Sequence, residues 1–442
     1  MSADQSKGIG WMGALLLLAS QFAAGVAQAI PAIQHWTTLN GAQVYFVPAP
    51  ELPIVDVRVV FNAGSARDDG LPGLAGLTSD LLDKGAAGMS ADAIAEGLDG
   101  LGAVLGTGSL RDMAWVSLRS LSDPAHFEPA VELMVKVLSR PDFNSRDIDR
   151  ERERTLVALR RSDQKPGDIA EYHYYQALYG QHPYAIRPLG TEVSLKRITR
   201  ADIRAFYAKY YVASNATIAI VGDIDRAGAG RLARRLSTGL PAGRPIAPLP
   251  PVPPLVKASE ERIFHPSTQT HVLMGAIGIS RTDPDFFPLY VGNHVLGGGG
   301  LVSLLNEQVR EKRGLSYSVY SAFSPMARAG PFTLGLQTRN DQTDEALRVL
   351  RETLQRFHDQ GPTEEELVAA RKNITGSFAL GIDSNSKIIQ YLAVIGFYGL
   401  PLDYLETFND KIMAVTRGQI RDAFRRHVHP DVMATVIVGG NE

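Results

Sequence analysis

Leu296–Tyr320 reads LGGGGLVSLLNEQVREKRGLSYSVY. Four consecutive glycines, Gly297, Gly298, Gly299 and Gly300, leave backbone N–H and C=O groups open to a close partner. Leu301, Leu304, Leu305 and Val309 then recur at helical spacing. The run ends in a basic turn, Arg310-Glu311-Lys312-Arg313-Gly314, so Arg310 falls near a helix C-terminus, where a cation is favoured. A short alternating segment, Leu315, Tyr317, Val319, predicts a strand that opens near Tyr317. A guanidinium and a phenol brought together beside a glycine-rich loop can grip an extended peptide. The same residues also suit a flexible loop, a solvated arginine and a half-buried tyrosine, and local pattern does not choose between the two.

Outward from this stretch, composition narrows the field. At 442 residues the chain exceeds one hydrophobic core, so two or more domains are expected. A hydrophobic share of 45% and a charged share of 21% are those of a globular protein. A net charge of −2 and a pI near 6.6 give no basic stripe and argue against nucleic acid as a partner. There are no cysteines, which excludes disulfides and thiolate chemistry and would leave any zinc site to histidines and carboxylates. Lys7, the apolar run Leu15 to Leu18 and the small-x-small triplet Ala27-Gln28-Ala29 have the order of a secretory signal peptide over residues 1–29. Ser20 and Gln21 break the apolar run, which is short for a membrane span. The expectation is export to a bacterial periplasm, with an inner-membrane anchor as the alternative should the signal stay uncleaved.

The remaining chain reads as two similar halves. The first, residues 30–240, opens with a hairpin signal at Asn40-Gly41 and a longer strand from Ile54. Helical patterns follow over 70–85, 89–102 (Ser90 as N-cap), 127–141, 146–161, 169–178 and 200–210, with strands at Ala114–Leu121 and from Ala216. A proline- and glycine-rich stretch without period marks a linker over 241–258. The second half, 259–442, repeats the first in outline: HVLMGAIGI echoes VDVRVVFNAG, and MATVIVGG echoes ATIAIVGD. Duplication of one α+β unit explains this best. The expected fold is therefore α+β: two homologous halves, each a mostly antiparallel sheet covered by its own helices, facing each other across a gap like a clamp.

These features resemble the pitrilysin/insulinase family of zinc peptidases, most closely its small, mitochondrial-processing-peptidase-like branch. The resemblance spans essentially the whole mature chain. It rests on REKRGLSYSV within the opening stretch, on YGQHPYAIRPLGTEVSL (Tyr179–Leu195) and on FYAKYYVASNATIAIVGDID (Phe206–Asp225). Active members carry His-x-x-Glu-His, in which two histidines hold zinc and the glutamate acts as base on the metal-bound water. The matching segment here is GLAGLTSDLLDKGA, with Gly76 and Asp80 where the histidines should be and Ser79 in place of the glutamate. The third-ligand position falls on Val157 or Ala158. Neither His-x-x-Glu-His nor its reverse, His-Glu-x-x-His, occurs anywhere in the chain. His427 and His429 form the only close histidine pair, with no acidic third ligand evident near them, and His182 reads as a structural loop residue.

The family's Arg/Tyr pair, seven positions apart in the C-terminal half, is matched by Arg310 and Tyr317. The resemblance implies that these two hydrogen-bond substrate and tetrahedral intermediate, and that Gly297 to Gly300 form the substrate-handling loop of a non-catalytic subunit. The implied protein binds no cofactor itself. It would pair with a homologous His-x-x-Glu-His subunit carrying the zinc, and would receive unfolded peptides as an added strand on a sheet edge. A homodimer in isolation and a peptide-binding or structural scaffold without a catalytic partner are the alternatives.

Overall fold

The computed structural model describes residues 32–241 and 243–440, so residues 1–29, read as a signal peptide, lie outside these. Two sheets carry the fold. The first contains β1 (Gln34–Thr37), β2 (Gln43–Pro48), β3 (Ile54–Phe61), β4 (Val104–Ser109), β5 (Ala114–Leu121) and β6 (Ala216–Gly222), in the order β1-β2-β6-β3-β5-β4. The second contains β7 (Ser259–Ile263), β8 (Gln269–Ile277), β9 (Ser316–Phe323), β10 (Pro331–Arg339) and β11 (Ala434–Val438), in the order β9-β10-β8-β11-β7. Each sheet is antiparallel except for one pair, β2 with β6 and β7 with β11. Five strands therefore superimpose in topology, and β1, supplied by the hairpin at Asn40-Gly41, is the addition of the first half.

The duplication reaches individual backbone angles. Gly222 and Gly439 close equivalent strands with the same φ of 142°. A Cβ on Gly222 would lie 2.2 Å from the Ile54 carbonyl oxygen, so only glycine fits there. The helices that position the sites are α1 (Leu74–Leu81), α2 (Ser145–Ser162), α3 (Pro166–Tyr179), α4 (Arg200–Tyr210), α5 (Phe286–Asn293), α6 (Asn385–Tyr398) and α7 (Arg417–His427). α4 and α7 start on equivalent capping boxes, Thr199 with Asp202 and Thr416 with Gln419.

One expectation is corrected here. Each half was to cover its own sheet, yet α3 and α6 are exchanged. α3 belongs to the first half by sequence but packs on β8 and β11, and α6 crosses back onto β2, β3 and β6. β6 is consequently buried along its whole length, which explains its continuous apolar run. Tyr45, Val47, Val60, Ala219 and Val221 share one hydrophobic core with Ile388, Leu392 and Ile395 of α6. Ala170, Tyr174 and Leu178 of α3 pack with Ala434, Val436 and Val438 of β11. The Tyr174 hydroxyl also donates to the Phe332 carbonyl at 2.9 Å.

A buried carboxylate closes the seam. Asp112, in the β4–β5 turn, accepts from the Tyr184 hydroxyl (2.6 Å), from the Ala327 amide (2.7 Å) and from the Tyr398 hydroxyl at the end of α6 (3.0 Å). Burial first, and then the Asp112 charge, push both phenols far above their ordinary pKa, so they stay protonated donors. The linker lies strapped along this seam. The Arg67 guanidinium donates to the Ala247 carbonyl, the Arg328 guanidinium donates to the Leu249 carbonyl, and His182 meets the Pro250 carbonyl at 3.0 Å. His182 also accepts from the Tyr184 amide on Nδ1, which assigns the neutral tautomer with its proton on Nε2. It is the structural residue its sequence context suggests. Among the described residues no helix is long and apolar enough to cross a membrane.

Asp112→Asn should lose about 3 kcal/mol of unfolding free energy in urea, because three donors are left with one acceptor oxygen. Burial lowers the His182 pKa from its ordinary value. The unfolded chain therefore takes the proton first, so His182 contributes stability above pH ~6.5 that is lost as pH falls. His182→Asn should be about 1 kcal/mol less stable at pH 7.5. Its thermal midpoint should then fall less steeply than wild type between pH 7.5 and pH 5.

Candidate functional site

The opening stretch folds into tighter turns than its periodicity suggests. The glycine run is not an open loop. His294–Gly298 forms a π-helical turn continuing α5, and Gly300–Val302 forms a 3₁₀ turn. Gly297 packs so closely on β9 that a Cβ would lie 2.5 Å from the Ser321 amide nitrogen. Gly299 folds against His294, while Gly300 faces open space with φ +61°. The expected helix begins only after Ser303, whose hydroxyl donates to the Gly300 carbonyl at 2.7 Å. It passes into π geometry over Asn306–Glu311. Leu305 and Val309 are buried as expected, but Leu301 leaves the apolar face and is exposed together with Val302.

Arg310 ends that π segment and Tyr317 begins β9, and the structure brings them together. The Arg310 Cζ stands 4.8 Å from the centroid of the Tyr317 ring, a cation–π contact worth about 0.5–1 kcal/mol at an exposed site. Arg310 has no ion-pair partner among the described residues, and Tyr317 is 81% exposed. The two border a groove of roughly 480 Å³ whose walls include Gly297, Gly298, Gly300, Leu301 and Asn306. Gly299, expected with the others, is not in its lining. All of the lining comes from the C-terminal half.

Sequence reading missed the residues that anchor this corner. Asn293, the last residue of α5, donates through Nδ2 to the Ser321 carbonyl and accepts the Ser321 hydroxyl on Oδ1. An asparagine four residues before a glycine run was the available signal. His294 sits at the same junction with Nε2 buried and unpartnered, and burial lowers its pKa.

In the first half, α1 carries the positions where metal ligands would stand, and they do not fit zinc. Gly76 has no donor atom. Ser79 is fully buried with its hydroxyl unpartnered among the described residues, and Val157 is apolar and 40% exposed. Asp80 alone offers a carboxylate, and burial raises its pKa, opposed by nearby Arg154 and reinforced by Glu151. Glu151, on α2, is 3% exposed and paired with Arg154 at 3.0 Å and Arg150 at 3.4 Å. Two carboxylates with two arginines fall short of the three or four ligands zinc requires. The reading of His427 needs one correction. Asp283 and Asp285 do lie beside it, with Asp285 Oδ2 2.9 Å from Nε2. Arg426 already grips Asp285 through two hydrogen bonds, so the cluster is a closed ion-pair network.

Comparison with known proteins agrees with this geometry. The model of the insulinase family, peptidase M16, matches residues 44–192, and that of the peptidase M16 inactive domain matches residues 197–374. A crystal structure of a peptidase M16 inactive domain from Pseudomonas fluorescens is 40% identical, with a TM-score of 0.90 over 93% of this chain and 98% of that one. The chain belongs to the insulinase (M16) peptidase family. An uncharacterized zinc protease of Streptomyces coelicolor is 28% identical over 81% of this chain and 79% of its own length. A non-peptidase homologue from Helicobacter pylori is 25% identical over 88% of this chain and 90% of its own. Within the family, the comparisons support a member of the inactive type.

Gly297→Ala should destabilise the chain by about 1–3 kcal/mol in urea unfolding, since the added methyl meets backbone at Ser321. Hydrogen exchange should speed up in 294–298 and at Ser321, and remain unchanged in the first sheet.

Proposed function

We propose that this chain is the non-catalytic subunit of a two-chain zinc peptidase that processes or degrades unfolded peptides. The partner would be a homologous chain with His-x-x-Glu-His, supplying the metal and the general base. This chain would supply part of the chamber wall and two donors. The Arg310 guanidinium would hold a substrate carbonyl. The Tyr317 hydroxyl would donate to the oxygen that gains charge as the tetrahedral intermediate forms. The groove's glycines and β9 would receive peptide in extended form.

The observation that carries this reading is an asymmetry between the halves. One half has no ligand set for zinc. The other presents an arginine without an ion-pair partner among the described residues, held over an exposed tyrosine beside an open groove. Nothing in the folding of the C-terminal half needs Tyr317 to be exposed, so its placement favours contact with another molecule. The same reading places the complex outside the cytoplasm, on the strength of Lys7, Leu15–Leu18 and Ala27–Ala29, which lie outside the described residues.

Co-expression with an exported His-x-x-Glu-His homologue should yield a complex that cleaves unfolded peptides and is silenced by chelator. The purified chain alone should be inert. In the complex, Arg310→Ala should lower kcat about 10²–10³-fold, the size of losing one preorganised donor, and Tyr317→Phe should lower it about tenfold or more. Chelator-sensitive cleavage by this chain alone would overturn the proposal, as would an Arg310→Ala complex at full rate. Recovery from native extract of partners that include no peptidase homologue would favour the scaffold reading instead.

A further inference from the structure

Tyr317 occupies a place that an ordinary strand would not give it. Leu315 and Val319 are 3% and 5% exposed, and residues two apart in a strand share a face. Regular pleating would therefore turn Tyr317 inward between them. The pairing of β9 with β10 shows why it points out. Ser316 stands opposite Thr338 and Ser318 opposite Gln337, so Tyr317 is an extra residue with no partner across the ladder. It is the apex of a β-bulge, a device that breaks alternation and re-aims a side chain.

A bulge leaves ladder groups unpaired, and here one hydroxyl takes them up. Ser316 is 5% exposed. Its Oγ lies 2.6 Å from the Gln337 carbonyl oxygen and 2.7 Å from the Ser318 carbonyl oxygen, and it accepts the Ser318 amide at 3.2 Å. It thus bridges the two strands and both sides of the extra residue. The neighbouring buried hydroxyl of Thr338 donates to the Leu315 carbonyl, before the bulge begins.

We infer that Ser316 is a positioning residue: its hydroxyl holds the bulge that keeps the Tyr317 phenol over Arg310 and facing the groove. The inference rests on the proposed role of the Arg310–Tyr317 pair for its functional consequence, but not for its structural one. Removing the hydroxyl strands the Gln337 carbonyl and the Ser318 amide. The strand then gains by closing the ladder, which draws Tyr317 toward the buried row.

The test separates these two layers. In the isolated full chain carrying 3-fluorotyrosine at position 317, Arg310→Ala should shift the fluorine resonance. Ser316→Ala should shift or broaden it likewise. Thr338→Val, which deletes a buried hydroxyl on the same strand pair, should leave it in place. Ser316→Thr, which restores the hydroxyl, should return the wild-type signal. A wild-type spectrum in Ser316→Ala, alongside a shifted one in Arg310→Ala, overturns the inference; so does an equal shift in Thr338→Val. If Ser316→Ala instead proves too unstable to measure, Ser316→Cys, which keeps the volume but bonds weakly, must show the shift. In the complex with the zinc-bearing homologue, Ser316→Ala should reduce kcat about tenfold or more with KM little changed, as misplacement of a reacting group does. A fluorine shift without any loss of rate would uphold the positioning role and overturn the catalytic assignment of Tyr317 instead.

Discussion

Each sheet of this molecule has one face that its own half does not cover. The exposed rows, Tyr45, Val47, Val60, Ala219 and Val221 in one case and Ala434, Val436 and Val438 in the other, are too apolar to leave in water. Exchange of α3 and α6 answers both needs at once, because each helix crosses to the sheet of the opposite half. Neither half then has a complete core of its own, and the arrangement makes them fold as one body. Asp112 is where the exchange closes. It takes donors from Tyr184 in the first half and from Tyr398 and Ala327 in the second, so a single carboxylate holds the end of α6, the β4–β5 turn and a loop of the second half. Buried charge is costly unless every acceptor is met, and here three donors meet it.

That interlock fixes where the functional corners lie. In the duplicated topology β4 and β9 are equivalent edge strands, and α1 and α5 occupy equivalent positions beside them. The first half uses its corner for the helix with Gly76, Ser79 and Asp80. The second uses the same corner for the glycine turns, Arg310 and Tyr317. The two corners thus sit at corresponding places in two halves that are locked by α3 and α6, and the Arg310 groove is walled by its own half alone.

Much of this was legible in the residues, and the limits have physical causes. Short-range signals served well: Ala114–Leu121 and Arg200–Tyr210 fall where their patterns put them, and Ser90 caps its helix by accepting from the Ala93 amide. The two-halved architecture was also readable, because duplication writes its long-range information twice. The exchange of α3 and α6 was not, since an amphipathic stripe says that a helix covers something and not which sheet it covers. β4 escaped notice because two glycines and a threonine dilute its alternation. At the site, the spacing of Arg310 and Tyr317 was visible. The bulge that gives Tyr317 its exposure was not, because the register belongs to the pairing with β10 and leaves no mark in β9 alone.

The α1 corner holds paired charges rather than a set of metal ligands. Glu151 is almost fully buried next to Asp80, and two carboxylates at low exposure repel each other and resist desolvation. A divalent cation would relieve both effects, but Gly76, Ser79 and Val157 provide nothing to complete its shell. Arg150 and Arg154, on the same helix as Glu151, supply the positive charge instead. Ser79 is fully buried, and its hydroxyl has no hydrogen-bond partner among the described residues. The corner is therefore an ion-paired cluster. The opposite corner differs: its arginine has no carboxylate partner among the described residues, its tyrosine is forced out of the strand's buried row, and Gly297 is packed where a side chain would collide. Packing stability accounts for Gly297, while the arginine and the exposed tyrosine leave a donor-rich groove facing outward.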